Sequence, residues 1–225
     1  MRIDAWLFDL GNTLMAIPDD YDEELRLCEI LGISDTEIVR SVIYRICDRH
    51  RGQSIEEFIE RFDRETNPSS SPSVRNALRA AWFNSVEHAE LKDGAWRLLD
   101  NLRKAGKKLA LVSNTPPTSQ IILERLKLTE RFDAVVFSCD VGYLKPDPRI
   151  FKHALDQLGI APNASVIVGD KIRTDILGGA ILGMRSILVE ERLRQVVENG
   201  QNYVDAIVPR LVDVEQTELY LNSIG

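Results

Sequence analysis

The stretch Ala5-Trp6-Leu7-Phe8-Asp9-Leu10-Gly11-Asn12-Thr13-Leu14 opens with four apolar residues and breaks at a carboxylate followed by turn formers. Such a run, with no polar alternation, reads as a strand covered on both faces, and strands of that kind belong in parallel sheets. Four further runs repeat it: Leu109-Ala110-Leu111-Val112, Ala134-Val135-Val136-Phe137, Val166-Ile167-Val168 and Ser186-Ile187-Leu188-Val189. Tyr203-Val204-Asp205-Ala206-Ile207-Val208 is a weaker sixth. Helical spacing lies between them. Trp96, Leu99, Leu102 and Arg103 precede Gly106; Ile150, Phe151, Ala154, Leu155 and Leu158 precede Gly159, with Asp147 as cap and Pro148 in first position. Strands alternating with helices after residue 94 predict βαβ units, and so a doubly wound, mainly parallel α/β sheet.

Residues 16–90 read as helices only. Tyr21, Leu25, Cys28 and Leu31 run up to Gly32. Ser34-Asp35-Thr36-Glu37 predicts a capping box ahead of Ile38, Val42, Ile43 and Ile46, and Ser54-Ile55-Glu56-Glu57 another ahead of Phe58, Ile59 and Phe62. A surface loop, Asn67-Pro68-Ser69-Ser70-Ser71-Pro72-Ser73, precedes Val74, Ala77, Leu78, Ala81 and Trp82. About four helices inserted after the first strand are too many for an ordinary connection, so a small helical domain is expected. The division is then 1–15 with 91–225 as an α/β core, and 16–90 as the helical domain. The segment from Leu211 to Gly225 reads as a closing helix carrying Leu211, Val212, Leu219 and Leu221.

Composition narrows the function. In 225 residues, 28 Lys+Arg stand against 35 Asp+Glu, a net charge of −7 that argues against a nucleic-acid partner. No window approaches the ~18 uninterrupted apolar residues of a membrane span, and nothing before Asp9 resembles a signal peptide. Three cysteines, Cys28, Cys47 and Cys139, form no metal-ligand spacing, so a reduced, cytoplasmic setting is expected.

Ligands of a parallel sheet bind beyond the carboxyl ends of its strands. Asp9 ends the first run, Ser113-Asn114 the second and Gly169-Asp170 the fourth, with Asp175 five residues on; Lys145 follows the third in Gly142-Tyr143-Leu144-Lys145-Pro146-Asp147-Pro148. Three carboxylates on one rim repel one another unless neutralised. A hard cation such as Mg²⁺ would do so with oxygen ligands, leaving Lys145 to face a phosphate and Asp9 to serve as nucleophile.

These four segments, in this order and with a helical insertion between the first two, resemble the haloacid dehalogenase-like hydrolase superfamily over the whole length. The resemblance implies a Rossmann-like core, a helical cap, and in most members a Mg²⁺-dependent phosphatase. It implies that Asp9 is the nucleophile, that Ser113 with Asn114 contacts the phosphoryl group, and that Lys145 balances its charge. It implies metal ligation by Asp9, the Gly11 carbonyl, Asp170 and Asp175, and a steadying role for Thr13. The substrate expected is a small phosphorylated metabolite, with no nucleic acid or membrane as partner.

One position departs from the pattern. The family's phosphatases carry Asp-x-Asp-x-Thr, whose second Asp is the general acid; here that position is Gly11. Metal ligation through a backbone carbonyl survives this change, whereas proton transfer does not. Two other readings follow. A protein with such a site could bind a phosphorylated ligand or a partner without turnover. A haloacid dehalogenase also lacks the second Asp, but such enzymes work without Mg²⁺ and generally lack the pair kept here as Asp170 and Asp175. Asp19, Asp20 and Asp22 enter the insertion, where a solvated face with an N-cap is the simpler reading. His50, His88 and His153 form no cluster, and Arg45, Arg49 and Arg51 read as a wet helix face.

Overall fold

The computed structural model describes residues 2–67, 71–190 and 204–223. Six strands form one sheet: β1 (Ala5–Phe8), β4 (Lys108–Ser113), β5 (Ala134–Phe137), β6 (Ser165–Gly169), β7 (Arg185–Val189) and β8 (Ala206–Val208). Their order is β5-β4-β1-β6-β7-β8, and each adjacent pair is parallel. The chain therefore grows outward from β1 in two directions, which places a topological switch point beside it. β1 is central: Phe8 registers with Leu111 on one side and with Val168 on the other. Every residue of β1 is buried, as an unbroken apolar run requires. All five of the stronger runs form strands. The weaker sixth shortens to Ala206–Val208, and its Tyr203 lies outside the described residues.

Two short strands, β2 (Met15–Ala16) and β3 (Glu90–Leu91), pair antiparallel where the chain leaves and rejoins the sheet region. Four helices lie between them: α1 (Glu23–Leu31), α2 (Thr36–Arg49), α3 (Ile55–Thr66) and α4 (Pro72–His88). Asp22 caps α1 by accepting from the Leu25 N–H, and Gly32 ends it at φ +67°. The capping box at Ser54 and Glu57 forms on both sides. The box expected at Ser34 does not: Asp35 is the cap and accepts from the Glu37 N–H. Its charged carboxylate accepts in the first turn, as the side chain of an N-cap residue does. The Pro/Ser stretch gives way to helix earlier than its composition implies, with Ser71 as cap and Pro72 in the first turn; Pro68–Ser70 lie outside the described residues.

The apolar stripes are shifted in places. Leu25 is 47% exposed and Ile38 51%, while Leu27, Cys28 and Val39 are buried. Trp82 takes Phe58 and Phe62 edge-on, at ring separations of 5.2 and 5.4 Å, and so ties α3 to α4. The insertion is bonded to the sheet region at several points. The Gly52 N–H donates to the Cys139 carbonyl, and the Arg125 guanidinium donates to the carbonyls of Val86 and Ala89.

The sheet's helices are α5 (Ala95–Lys104), α6 (Ser119–Arg125), α7 (Ser138–Val141), α8 (Pro148–Leu158), α9 (Leu177–Ile181) and α10 (Glu218–Ser223). Asp147, Pro148 and Gly159 take the roles expected at the ends of α8. On α5 the buried face is Ala95, Leu98, Leu99 and Leu102; Trp96 stands outside it under the Arg131 guanidinium, 4.3 Å from the ring centre. The C-terminal helix is split, with a 3₁₀ segment at Leu211–Thr217 ahead of α10, and Ile224 and Gly225 fall outside the described residues. Among the described residues no helix is long and apolar enough to cross a membrane.

Candidate active site

The carboxyl ends of β1, β4 and β6 meet at one crevice. Asp9 leaves β1 with its N–H bonded to the Val168 carbonyl of β6. The residue is 7% exposed, and its side chain meets three donors. Lys145 Nζ lies 2.6 Å from Asp9 Oδ1, Ser113 Oγ donates to the same oxygen at 3.4 Å, and Thr13 Oγ1 donates to Oδ2 at 3.2 Å. Ser113 is the last residue of β4, and Thr13 is fully buried in the loop that follows β1.

Lys145 is itself 4% exposed. Its ammonium contacts Asp175 Oδ1 at 2.6 Å and the Val112 carbonyl at 2.9 Å. Burial works against that charge, but Asp175 and Asp9 outweigh it and hold the ammonium above the ordinary lysine range. The Lys145 peptide is fixed from β4: its N–H donates to Asn114 Oδ1 at 2.7 Å, and Asn114 Nδ2 donates to its carbonyl at 3.0 Å. Both ends of the Asn114 side chain thus hold the lysine segment.

Asp170 follows β6 and sits 3.4 Å from the Thr13 hydroxyl. Asp175 lies in a π-helical turn, Ile172–Ile176, and its Oδ2 accepts the Lys171 N–H at 3.0 Å. It folds back on that N–H instead of capping α9. Gly169 makes this possible: a Cβ there would stand 2.5 Å from Asp175 Cβ, Cγ and Oδ2. Asp9, Asp170 and Asp175 each offer an oxygen within 4.8 Å of the others. Burial, then the charge of Asp9, pushes the Asp170 carboxyl up to about 7. Burial also raises Asp175, against the pull of Lys145. Two partly uncompensated carboxylates beside Asp9, with only oxygen donors present, suit a hard divalent cation.

A cavity of about 90 Å³ is lined by Asp9, Gly11, Ser113, Lys145 and Asp175, with Tyr44 of α2. Tyr44 also lines an adjoining cavity of about 150 Å³, shared with Gly11, Ser113, Glu23 and Glu24, and a third of about 580 Å³, shared with Arg40, Asp170 and Lys171. Burial pushes its phenol up to about 12. Neither Tyr44 nor Glu23 stands out in the sequence, because helical spacing gives the apolar face of α1 and α2 but not what that face meets. Asp19 and Asp20 lie exposed in a 3₁₀ turn, and Asp22 is the α1 cap. Arg45 pairs with Glu65, and Arg51 lies over the Tyr143 ring.

Comparison with known proteins bears on this geometry. A family model described as haloacid dehalogenase-like hydrolase matches residues 3–183. A phosphoserine phosphatase of Thermus thermophilus is 34% identical over 142 residues, 61% of this chain and 56% of that protein. A glyceraldehyde 3-phosphate phosphatase of Methanothermobacter thermautotrophicus is 42% identical over 122 residues, 53% of this chain and 54% of that protein. The chain spans about half the length of these curated relatives. A 2-haloacid dehalogenase from Pseudomonas syringae superposes with a TM-score of 0.67 at 21% identity, covering 97% of this chain and 98% of that one. At that identity the likeness is one of fold.

Proposed function

The chain belongs to the haloacid dehalogenase-like hydrolase family, and from that premise we propose that it is a Mg²⁺-dependent phosphatase of a small phosphorylated metabolite. The observation that carries the reading is the buried Lys145 ammonium between Asp9 and Asp175, beside a third carboxylate at Asp170. The activities named for the phosphoserine and glyceraldehyde 3-phosphate phosphatases support it.

In this reading an Asp9 carboxylate oxygen attacks phosphorus. A bond forms from phosphorus to Asp9 as the bond to the leaving oxygen breaks, giving an aspartyl phosphate that water then hydrolyses. Lys145 and the Ser113 hydroxyl stabilise the equatorial oxygens, already held in place by their bonds to Asp9 and to the β4 carbonyl. Thr13 fixes the Asp9 carboxylate, and Asn114 fixes the Lys145 peptide. Asp9, Asp170, Asp175 and the Gly11 carbonyl would hold Mg²⁺. When bound, it supplies positive charge opposite the transferring group. Residues 16–90 act as a cap over the core of 1–15 and 91–225, excluding water and selecting the substrate.

Phosphate release from p-nitrophenyl phosphate and acetyl phosphate, with Mg²⁺ and with EDTA, tests this beside Asp9→Asn. These leaving groups need little protonation. Metal-dependent turnover lost in Asp9→Asn is the expected result. Gly11 favours a second reading, ligand binding without turnover; metal-dependent phosphate binding with no release from either substrate would select it. Chloride release from 2-chloropropionate without metal would instead select the dehalogenase.

A further inference from the structure

Expelling the oxygen of an alkyl phosphate requires a proton, and the donors bonded to Asp9 are already committed. The Lys145 ammonium is surrounded by Asp9, Asp175 and the Val112 carbonyl. The hydroxyls of Thr13 and Ser113 donate to Asp9. Gly11 lines the cavity without a side chain. The adjoining cavity of about 150 Å³ shares Gly11 and Ser113 and carries Glu23 and Glu24 on its α1 side. These two carboxylates differ sharply. Glu24 is held by the Arg40 guanidinium through both of its oxygens. Glu23 meets no cation among the described residues; its Oε2 accepts from Ser85 Oγ at 2.9 Å. A carboxyl without a cationic partner in a closed cavity is the one of the two suited to carry a proton.

We propose that Glu23, carried by α1, is the general acid and base of this site, and that it protonates the leaving oxygen of an alkyl phosphate bound across Gly11. The proposal rests on the phosphatase reading above. In the first step phosphorus bonds to Asp9, its bond to the leaving oxygen breaks, and that oxygen takes the Glu23 proton as alcohol departs. In the second, water bonds to phosphorus and yields a proton to the Glu23 carboxylate while the bond to Asp9 breaks. Phosphate leaves, and Asp9 and protonated Glu23 are restored. Burial pushes the Glu23 carboxyl up to about 8, against the Ser85 bond and with repulsion from Glu24 and Asp22 added. Of the other groups around it, Tyr44 of α2 lines the same cavity and Arg40 is closed on Glu24. On α4, His88 bonds to the Asn84 carbonyl and stacks on Tyr21.

Steady-state kinetics with Mg²⁺ on β-glycerophosphate and p-nitrophenyl phosphate test the proposal. Glu23→Gln is expected to lower kcat/KM on the alkyl ester about tenfold or more beyond its effect on the aryl ester. It also removes the fall in alkyl phosphate activity expected of the wild type above about pH 8. Ser85→Ala, which removes a bond that favours the ionised form, moves that fall to higher pH. Equal losses on the two esters, or a fall that Ser85→Ala leaves in place, overturns the assignment of Glu23 alone. No turnover of p-nitrophenyl phosphate by the wild-type protein overturns the phosphatase reading and this proposal with it.

Discussion

Lys145 Nζ lies 2.6 Å from Asp9 Oδ1, across 136 residues of sequence, with both side chains almost wholly buried. The same ammonium contacts Asp175, so one cation serves two buried carboxylates. Breaking a buried pair by removing one partner costs about 3–5 kcal/mol. Lys145→Met is therefore expected to lose stability of that order in the metal-free protein, measured by urea unfolding. A loss below about 1 kcal/mol, the scale of exposed pairs, would show that the carboxylates do not depend on the lysine.

Metal should take up part of that burden. The proposed Mg²⁺ would bind Asp9, Asp170 and Asp175, whose oxygens lie within 4.8 Å of one another only in the folded chain. At a hundred times Kd, the linkage is about 2.7 kcal/mol. Calorimetry is expected to show a higher Tm with Mg²⁺ than with EDTA, and a smaller difference in Asp170→Asn. A Tm that ignores both additions would remove the metal from the picture.

Gly169 is predicted to be intolerant of even one carbon. The Cβ of Gly169→Ala would meet Asp175 at 2.5 Å and push its carboxylate off the Lys171 N–H. Loss of an orienting contact typically lowers metal affinity about 10–100-fold. A Mg²⁺ titration followed by thermal shift gives that number directly, and wild-type affinity in the variant would contradict it.

Gly11 behaves in the opposite way. A Cβ there meets no atom within 4 Å, so a side chain can start at this position without a clash at its first carbon. A carboxyl at this position is expected to raise the rate on alkyl phosphates more than on aryl or acyl phosphates. Equal gains across leaving groups would mean that proton supply does not limit turnover.

The Glu23 carboxyl gives a pH signature independent of catalysis. Burial raises it to about 8 in the folded chain, above the unfolded value of about 4.3. A carboxyl raised on folding stabilises fully below its unfolded value, and that contribution is lost as pH climbs through the folded one. Between pH 5 and pH 9 the wild-type Tm should therefore fall relative to that of Glu23→Gln. Parallel curves for the two proteins would show that Glu23 ionises as readily in the fold as in water.

The sheet was legible because its strands are covered on both faces and hence written as bare apolar runs. The candidate residues were legible for a related reason: Asp9, Ser113 and Asp170 stand where such runs stop, and a parallel sheet brings those ends together. Helical spacing is less informative. It admits Ile38, Leu25 and Trp96 to the core, whereas the structure leaves them outside. It also cannot show which side chains the insertion turns toward the crevice: Tyr44 and Glu23 line a cavity with Gly11 that only the folded chain creates. The π-helical turn around Asp175 has no signature in residue type; it follows from the close passage of Gly169 beneath it.

The place of β1 at the centre of the sheet has a consequence for synthesis. The strand that carries Asp9 is made before the strands it pairs with: its neighbours in register, Leu111 and Val168, come more than a hundred residues later. The contacts among α1, α2, α3 and α4 all lie within residues 23–88 and can form before the partners of β1 are made. Meanwhile the apolar stretch Ala5–Phe8 waits unpaired, a sticky segment that a chaperone or a fast-folding insertion must shield. Because the Asp9 N–H bonds to the Val168 carbonyl, a nascent chain that has not yet reached β6 cannot seat Asp9 in the crevice.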